Sequence, residues 1–456
     1  MTELRVSPDP RVRSSVARPI DVAAPFPTIA VLGLGYVGLP TALAARANGA
    51  RAIGIDLSES RLKSIRERRA DLVAADRERL ARHLDDDHFV LTSSLQSLAE
   101  ADAVLICVPT PVDEHREPDL GMLRAACADA VLHARRGQTL ILTSTSYPGT
   151  TEDLLANPLR ERGFVVGEDI FVASSPERID PANPIPHADV PRLVGGVTRR
   201  CLEHAVGFLR YLTDEVVPLS SARAAEVAKL LENSFRAVNI AFANEFADVC
   251  ATLDVDAREV IDAAATKPYG FMPFYPGTGV GGHCIPCDPH YLLWELRSRH
   301  GTAPILAEAM EAIAARPHAM VDLIGNRLSA DGGSLRGARV LIVGVAYKPG
   351  VEDMRESPAV EIVNELRERG AEVDFHDPLV PSLRLEDGNV LLSVRRPDPE
   401  AYDVALVHAI HPRNDYSWLA SVSVVIDPGG TWTHGPSPSP RGGRVAIPPR
   451  ALPVGD

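Results

Sequence analysis

The 456-residue chain has no apolar run near the roughly 20 residues that a membrane-spanning helix needs. Six cysteines are too few for a disulfide framework, which points to a reducing compartment where a thiol matters as a thiolate. Lysine is rarer still. Of 47 basic residues only Lys63, Lys229, Lys267 and Lys348 are lysines, and each carries a shape and titration behaviour that arginine lacks. Basic charge is also in deficit, with 61 acidic residues and a net charge of −14. That disfavours a nucleic-acid partner. Residues 1–25 hold Arg and Pro but no apolar core, so they read as a flexible lead and not a secretory signal. A cytoplasmic protein without membrane contact is expected.

The remaining composition, 45% hydrophobic and 24% charged, is that of an ordinary globular chain, and the length fits two to four domains. Apolar runs at Thr28–Leu32, Ala52–Ile55, Ala103–Val108, Thr139–Thr143 and Ile170–Ala173 alternate with helical patterns. That alternation predicts a doubly wound parallel sheet. From Ala224 to Ala251, Val227, Leu230, Leu231, Phe235, Val238 and Phe242 recur at helical spacing. A further helix is expected over Pro304–Leu328. Strands at Arg339–Val343, Glu372–His376, Val404–Ala409 and Val422–Ile426, with a helix near Pro358–Arg369, repeat the first pattern. The expected fold is α/β, with two Rossmann-like doubly wound domains joined by a central helical domain. The boundaries read as 26–215, 216–330 and 331–433, with a flexible tail at 434–456.

Gly33-Leu-Gly35-Tyr36-Val37-Gly38 follows a strand and opens a helix. The first glycine permits the tight turn, the second admits a pyrophosphate, and the third lets helix pack on strand. Asp56 ends the next strand, where a carboxylate would bind ribose hydroxyls and repel a 2′-phosphate. NAD is therefore the expected cofactor.

Gly277-Thr-Gly279-Val-Gly281-Gly282-His283-Cys284-Ile-Pro286-Cys287-Asp288 concentrates glycine around a thiol. Three readings stand beside plain burial: part of a zinc site, a redox pair, or a nucleophile at Cys284. Cys107, Cys127, Cys201 and Cys250 lie in apolar patterns and read as buried structural thiols. Lys229 and Asn233 are one helical turn apart, so an ammonium and an amide project together as an oxyanion site or a solvated pair. Ser175-Pro176-Glu177-Arg178 and Thr143-Ser-Thr145-Ser-Tyr147-Pro148-Gly149 end two strands, with Glu177 a candidate base.

GLGYVGLP, VPTP, STSYPGTT, SPER, AKLLENSFRAVNIAFANE, GGHCIPCDP and GVAYKPGVEDMRESP, in that order, resemble the UDP-glucose/GDP-mannose dehydrogenase family over roughly residues 28–430. The resemblance implies an NAD-binding domain, a helical dimerisation domain and a UDP-binding domain. It implies a four-electron oxidation of a sugar C6 alcohol, and no metal. Cys284 matches the nucleophile that captures the aldehyde and becomes a thioester. Lys229 and Asn233 would stabilise oxyanions, and Asp288 with Thr145 would hold the hydrolytic water. Glu177 matches a substrate-contacting acid/base. Arg61, Thr110, Thr145 and Arg355 match cofactor contacts. Lys348, Tyr275 and Gly279 match substrate contacts. A UDP-sugar is the implied partner, and a homodimer or larger homo-oligomer is expected, with the long helix offering its apolar face.

GGHC and TKPYGFMPFYPG resemble the subgroup acting on UDP-N-acetylhexosamines, most of all the UDP-N-acetylglucosamine 6-dehydrogenases. His283 is expected to shape the pocket or to lower the thiol pKa. Pro181 stands where UDP-glucose enzymes carry a second Glu. No arginine is read beside the thiol loop, where Lys267 would take its place, and Asp427-Pro-Gly429-Gly430 departs from the pattern late in the chain.

Overall fold

The computed structural model describes residues 26–113, 115–178 and 189–432. The expected lead, the tail from 434 and Pro181 lie outside them. The described chain forms two compact units, residues 26–232 with 290–301, and residues 233–289 with 302–432.

The first unit contains β1 (Thr28–Leu32), α1 (Gly38–Ala47), β2 (Arg51–Ile55), α2 (Glu59–Arg66), α3 (Ala74–His83), β3 (Phe89–Thr92), β4 (Ala103–Ile106), α4 (Gly121–Leu132), β5 (Thr139–Leu142), α5 (Asn157–Glu161), β6 (Phe171–Ser174), β7 (Arg192–Gly196), α6 (Arg199–Leu209) and β8 (Val216–Leu219). The eight strands form one sheet in the order β3-β2-β1-β4-β5-β6-β7-β8. All neighbours are parallel except β6 and β7. β1, TIAVL, is buried over four of its five residues. Covering both faces of a parallel sheet requires such a run. β3, β7 and β8 were not read from the sequence; β3 (FVLT) and β8 (VVPL) are four-residue runs that are largely only partly buried.

α7 (Ala222–Thr252) is a 31-residue helix, and the division between units falls within it, after Glu232. The second unit continues with α8 (Ala257–Ala265), the first residues of α9 (Asp288–Ser298) and α10 (Pro304–Ala330). It then builds β9 (Arg339–Val343), α11 (Pro358–Glu368), β10 (Glu372–His376), β11 (Ser382–Arg384), β12 (Val390–Leu392), β13 (Val404–Val407) and β14 (Val425–Ile426). The order β10-β9-β13-β14 is fully parallel, and β11 and β12 pair as a small antiparallel hairpin. No helix among the described residues is long and apolar enough to cross a membrane.

α7 leaves exposed most of the large residues that gave it its periodicity. Val227, Leu231, Phe235 and Phe242 are exposed, whereas Leu230, Asn233, Ala237 and Asn244 are buried. Apart from Leu230, these buried side chains are small or polar.

The two sheets begin in the same way. Gly33, at φ +90°, donates its N–H to the Ile55 carbonyl at 2.8 Å, and a Cβ there would fall 2.6 Å from the Cys107 carbonyl oxygen. Gly344, at φ +81°, donates to the His376 carbonyl at 2.8 Å, and its Cβ would fall 2.2 Å from the Ala409 carbonyl oxygen. Only glycine permits either turn. A carboxylate after the second strand ties each turn down. Asp56 accepts the Leu34 N–H at 2.9 Å, and Asp377 accepts those of Val345 and Ala346 at 2.8 and 3.2 Å.

The two carboxylates then part company. Asp377 is buried and also accepts the Leu379 and Val380 N–H groups and the Nε2–H of His411, whose Nδ1 accepts the Gly350 N–H. Desolvation raises this carboxyl, but the His411 bond and the backbone donors override it and hold it at about 2. Asp377→Asn is expected to cost about 2 kcal/mol in urea unfolding at pH 7. Since the folded carboxyl titrates below the unfolded one, the contribution is complete above about pH 4 and is lost as pH falls from there towards about 2. A variant as stable as wild type at pH 7 would contradict this.

Candidate active site

In the first unit the glycine-rich turn meets the demands of a dinucleotide. A Cβ on Gly38 would fall 1.7 Å from the Gly33 carbonyl oxygen, so the third glycine is fixed by helix–strand contact. A Cβ on Gly35 would meet nothing within 4 Å. That open space before the α1 N-terminus is where a phosphate can approach the backbone. Asp56 also accepts the Ser58 N–H at 2.9 Å, and Arg61 donates its Nε–H to the Leu34 carbonyl at 2.8 Å. Arg61 therefore braces the turn from beneath. Tyr36 and Val37 are partly exposed, with the Tyr36 hydroxyl bonded to Asp71. Thr110 and Thr145, at the ends of two loops, are also partly exposed.

Glu177 follows β6 and is buried, as is Arg192, the first residue of β7. The two form an ion pair at 2.6 Å, and the Arg178 N–H donates to the same carboxylate at 2.8 Å. Sequence reading picked out the acid but missed the arginine, which lies 15 residues on and comes alongside through the antiparallel turn of β7. The Arg192 Nη1 has no hydrogen-bond partner among the described residues.

The inner face of α7 holds two more charges. Glu226 accepts the Gly149 N–H at 2.6 Å and, from Thr151, the N–H at 2.9 Å and the hydroxyl at 2.6 Å. Desolvation raises this carboxyl against those bonds. Glu226, which the sequence pattern did not single out, thus fixes the STSYPGTT loop to the helix that bears Lys229. Lys229 is buried, 7% exposed, and its ammonium has no hydrogen-bond or ionic partner among the described residues.

In the second unit Cys284 is the one exposed cysteine of the six, and Cys287 is buried with the other four. The Cys284 carbonyl accepts the Asp288 N–H at 2.8 Å, which starts α9 and presents the thiol at a helix N-terminal turn. Asp288 is buried, and the Asn233 amide donates to its carboxylate. The amide and the carboxylate, 55 residues apart, are thus joined at the turn that carries the thiol, a pairing that no sequence spacing showed. Among the described residues no group of three or more His, Cys, Asp or Glu side chains could hold a metal ion.

His283 stands beside the thiol in the sequence. Desolvation, reinforced by the Arg355 guanidinium, holds its imidazole below the ordinary value. An uncharged imidazole does not lower a thiol pKa electrostatically.

The expected substrate residues of the second unit lie on two loops. Gly279 is at φ +153°, with a Cβ position only 2.7 Å from Pro358. Tyr275 donates its hydroxyl to Asp262 at 2.7 Å. An arginine does lie against this loop, Arg258 of α8. It lies 4.7 Å over the Tyr275 ring and donates to the Gly429 carbonyl at 3.0 Å. Lys267 instead sits over Tyr269 at 5.1 Å. A helix brings Arg258 to a loop 17 residues later in the chain, so no local pattern reveals it. Lys348 is partly buried in the turn after β9. Arg355 is exposed, and its guanidinium forks onto Asp353 at 2.6–3.1 Å. His408 and His411, which sequence reading passed over, lie after β13 in the same unit.

Three family models cover the chain: the NAD binding domain of the UDP-glucose/GDP-mannose dehydrogenase family over residues 27–211, its central domain over 223–314 and its UDP binding domain over 341–432. The chain is 33% identical to an NDP-N-acetyl-D-galactosaminuronic acid dehydrogenase of Ralstonia solanacearum, over 90% of this chain and 97% of the relative. It is 33% identical to a UDP-N-acetyl-D-glucosamine 6-dehydrogenase of Pseudomonas aeruginosa, over 84% and 90%. The solved UDP-D-ManNAc dehydrogenase of Pyrococcus horikoshii superposes with a TM-score of 0.81 at 29% identity, covering 90% and 97%.

Removing one partner of a buried ion pair strands the other charge. Arg192→Met is therefore expected to cost about 3 kcal/mol in urea unfolding, and the double variant Glu177→Gln/Arg192→Met to recover more than half of that loss. Losses that simply add in the double variant would mean that the pair is not coupled.

Proposed function

The chain belongs to the UDP-glucose/GDP-mannose dehydrogenase family, and from that premise we propose that it oxidises the C6 hydroxymethyl group of UDP-N-acetylglucosamine to the carboxylate, through a thioester on Cys284. The family makes the protein an oxidoreductase, an NAD-dependent nucleotide-sugar dehydrogenase. The observation that carries the finer reading is the exposed Cys284 at the turn before Asp288. NAD, when bound, supplies the hydride acceptor. The residues that would hold it are the open Gly35 turn for the pyrophosphate and Asp56 for the adenosine ribose.

The chain's own groups do the rest. The Cys284 sulfur adds to the aldehyde carbon, the carbonyl π pair moves to oxygen, and a proton from the thiol side ends there. Once that carbon has been oxidised to the thioester level, water attacks it, the C–S bond breaks and the departing thiolate regains a proton. Asp288, aligned by Asn233, accepts the proton of that water. Thr145 assists in placing it. Lys229 and the remaining N–H of Asn233 stabilise the successive oxyanions. Glu177, held against Arg192, contacts the sugar as a carboxylate. Lys348 and Tyr275 hold the nucleotide, and Arg61, Thr110 and Arg355 the cofactor. The GGHC sequence supports an N-acetylhexosamine. The likeness to the Pyrococcus horikoshii UDP-D-ManNAc dehydrogenase supports a second reading, in which the C2 epimer is the substrate.

The exposed stripe Val227, Leu231, Phe235 and Phe242 supports a homodimer formed along α7. Leu231→Glu with Phe242→Glu is expected to shift the species seen by analytical ultracentrifugation to monomer. An unchanged sedimentation coefficient would exclude that face.

Incubation with NAD⁺ and, separately, UDP-GlcNAc, UDP-ManNAc, UDP-GalNAc and UDP-glucose tests the reaction. Two NADH per uronic acid are expected, with UDP-GlcNAc turned over fastest. Cys284→Ser is expected to lower kcat at least about 10³-fold. One NADH per product, or a serine variant that still forms acid, would rule out the thioester route.

A further inference from the structure

The loop before the thiol, Gly277–Gly282, rests directly on the turn and following segment of the second α/β domain. The Gly282 N–H donates to the Arg355 carbonyl at 3.1 Å. A Cβ on Gly281 would fall 2.4 Å from the Glu356 carbonyl oxygen and 2.8 Å from the Tyr347 Cβ. Backbone lies on backbone here, and a side chain would push the loop away.

Thr278, which is buried, adds a side-chain link. Its hydroxyl meets Nδ1 of His408, the residue after β13. The His408 Nε2 lies 3.0 Å from the Ala346 carbonyl oxygen. A carbonyl only accepts, so Nε2 carries the proton. Nδ1 is then bare and accepts from the Thr278 hydroxyl. Desolvation pushes the imidazole down to about 4, so this neutral tautomer persists at working pH. Ala346 stands in the β9 turn where the first turn has its open Gly35, two residues after the glycine of positive φ.

We propose that His408 is a positioning residue: through the relay from the Ala346 carbonyl to its imidazole to the Thr278 hydroxyl, it couples occupation of the β9 turn by a uridine diphosphate to the placement of Cys284. The inference rests on reading that turn as the nucleotide site of the proposed reaction. His408 touches no reacting atom. The relay transmits a shift of the turn, which carries Lys348, to the loop that precedes the thiol.

The test compares the full-length wild type with Thr278→Val, which removes the donor at nearly constant volume, and Thr278→Ser, which keeps it. Calorimetry measures UDP affinity. Mass spectrometry follows alkylation of Cys284 by iodoacetamide with and without UDP, the other five cysteines being buried. In wild type and Thr278→Ser, saturating UDP is expected to change the alkylation rate about fivefold or more. Thr278→Val is expected to bind UDP within about threefold of wild type yet to lose that response, with kcat falling more than KM rises. His408→Gln is expected to match Thr278→Val. Equal responses in wild type and Thr278→Val, or no response in a wild type that binds UDP, would overturn the coupling alone. A wild type that binds no UDP would overturn the nucleotide-site reading and the coupling with it.

Discussion

Close approach of one backbone to another, at places where a Cβ would collide, is the constraint on which the structure depends. It sets the first turn at Gly33 against the Cys107 carbonyl, and the second at Gly344 against the Ala409 carbonyl. It also seats the thiol loop at Gly281 against the Glu356 carbonyl. Dispersion and hydrogen bonding across such contacts need no side chains, and replacing glycine there forces the backbone to move. The exposed thiol has a defined place because the loop behind it is pinned in this way. Asp288 at the start of α9 and the Asn233 amide then fix what surrounds the sulfur.

The first α/β pattern, the long helix and the strand–turn–helix of the second domain were legible because each is a run of apolar residues closed by a glycine or an acid. β1 and β9 fall where those runs predict. β7 and β8 did not declare themselves, since β8 is only partly buried and β7 is recognised by its antiparallel pairing with β6. The same division holds at the site. Cys284 and Asp288 stood out by their turn spacing and Asn233 by its helical spacing from Lys229, but the Asn233–Asp288 bond spans 55 residues and did not. Arg192, Arg258 and His408 were not readable, because each acts on a residue far away in sequence: Glu177, Gly429 and Thr278. Tertiary pairing of charges leaves no periodic trace in one sequence. The apolar stripe of α7 was read from its spacing alone, and spacing cannot say which side of a helix the fold covers.

The two α/β domains show how one device serves different ends. In both, a carboxylate after the second strand gathers N–H groups from the first turn. Asp56 stays partly exposed, with the neighbouring Gly35 opening onto empty space. Asp377 is enclosed by five donors, four backbone N–H groups and the His411 ring, and Ala346 replaces the open glycine. Electrostatics that can greet a ribose in the first domain hold the fold together in the second. The divergence lies in what covers the acid, since its position in the strand is the same.

That sealed acid bears on the timing of the proposed chemistry. A chain whose second turn has closed its carboxylate keeps one ribose-binding acid, while a four-electron oxidation consumes two equivalents of oxidant. On the proposed reading the spent dinucleotide must leave and a fresh one enter between the two oxidations, within a single catalytic cycle. A half-oxidised sugar held only by noncovalent contacts could escape during that exchange. Attachment to the Cys284 sulfur removes the risk, so the nucleophile acts as a tether as much as a reactant.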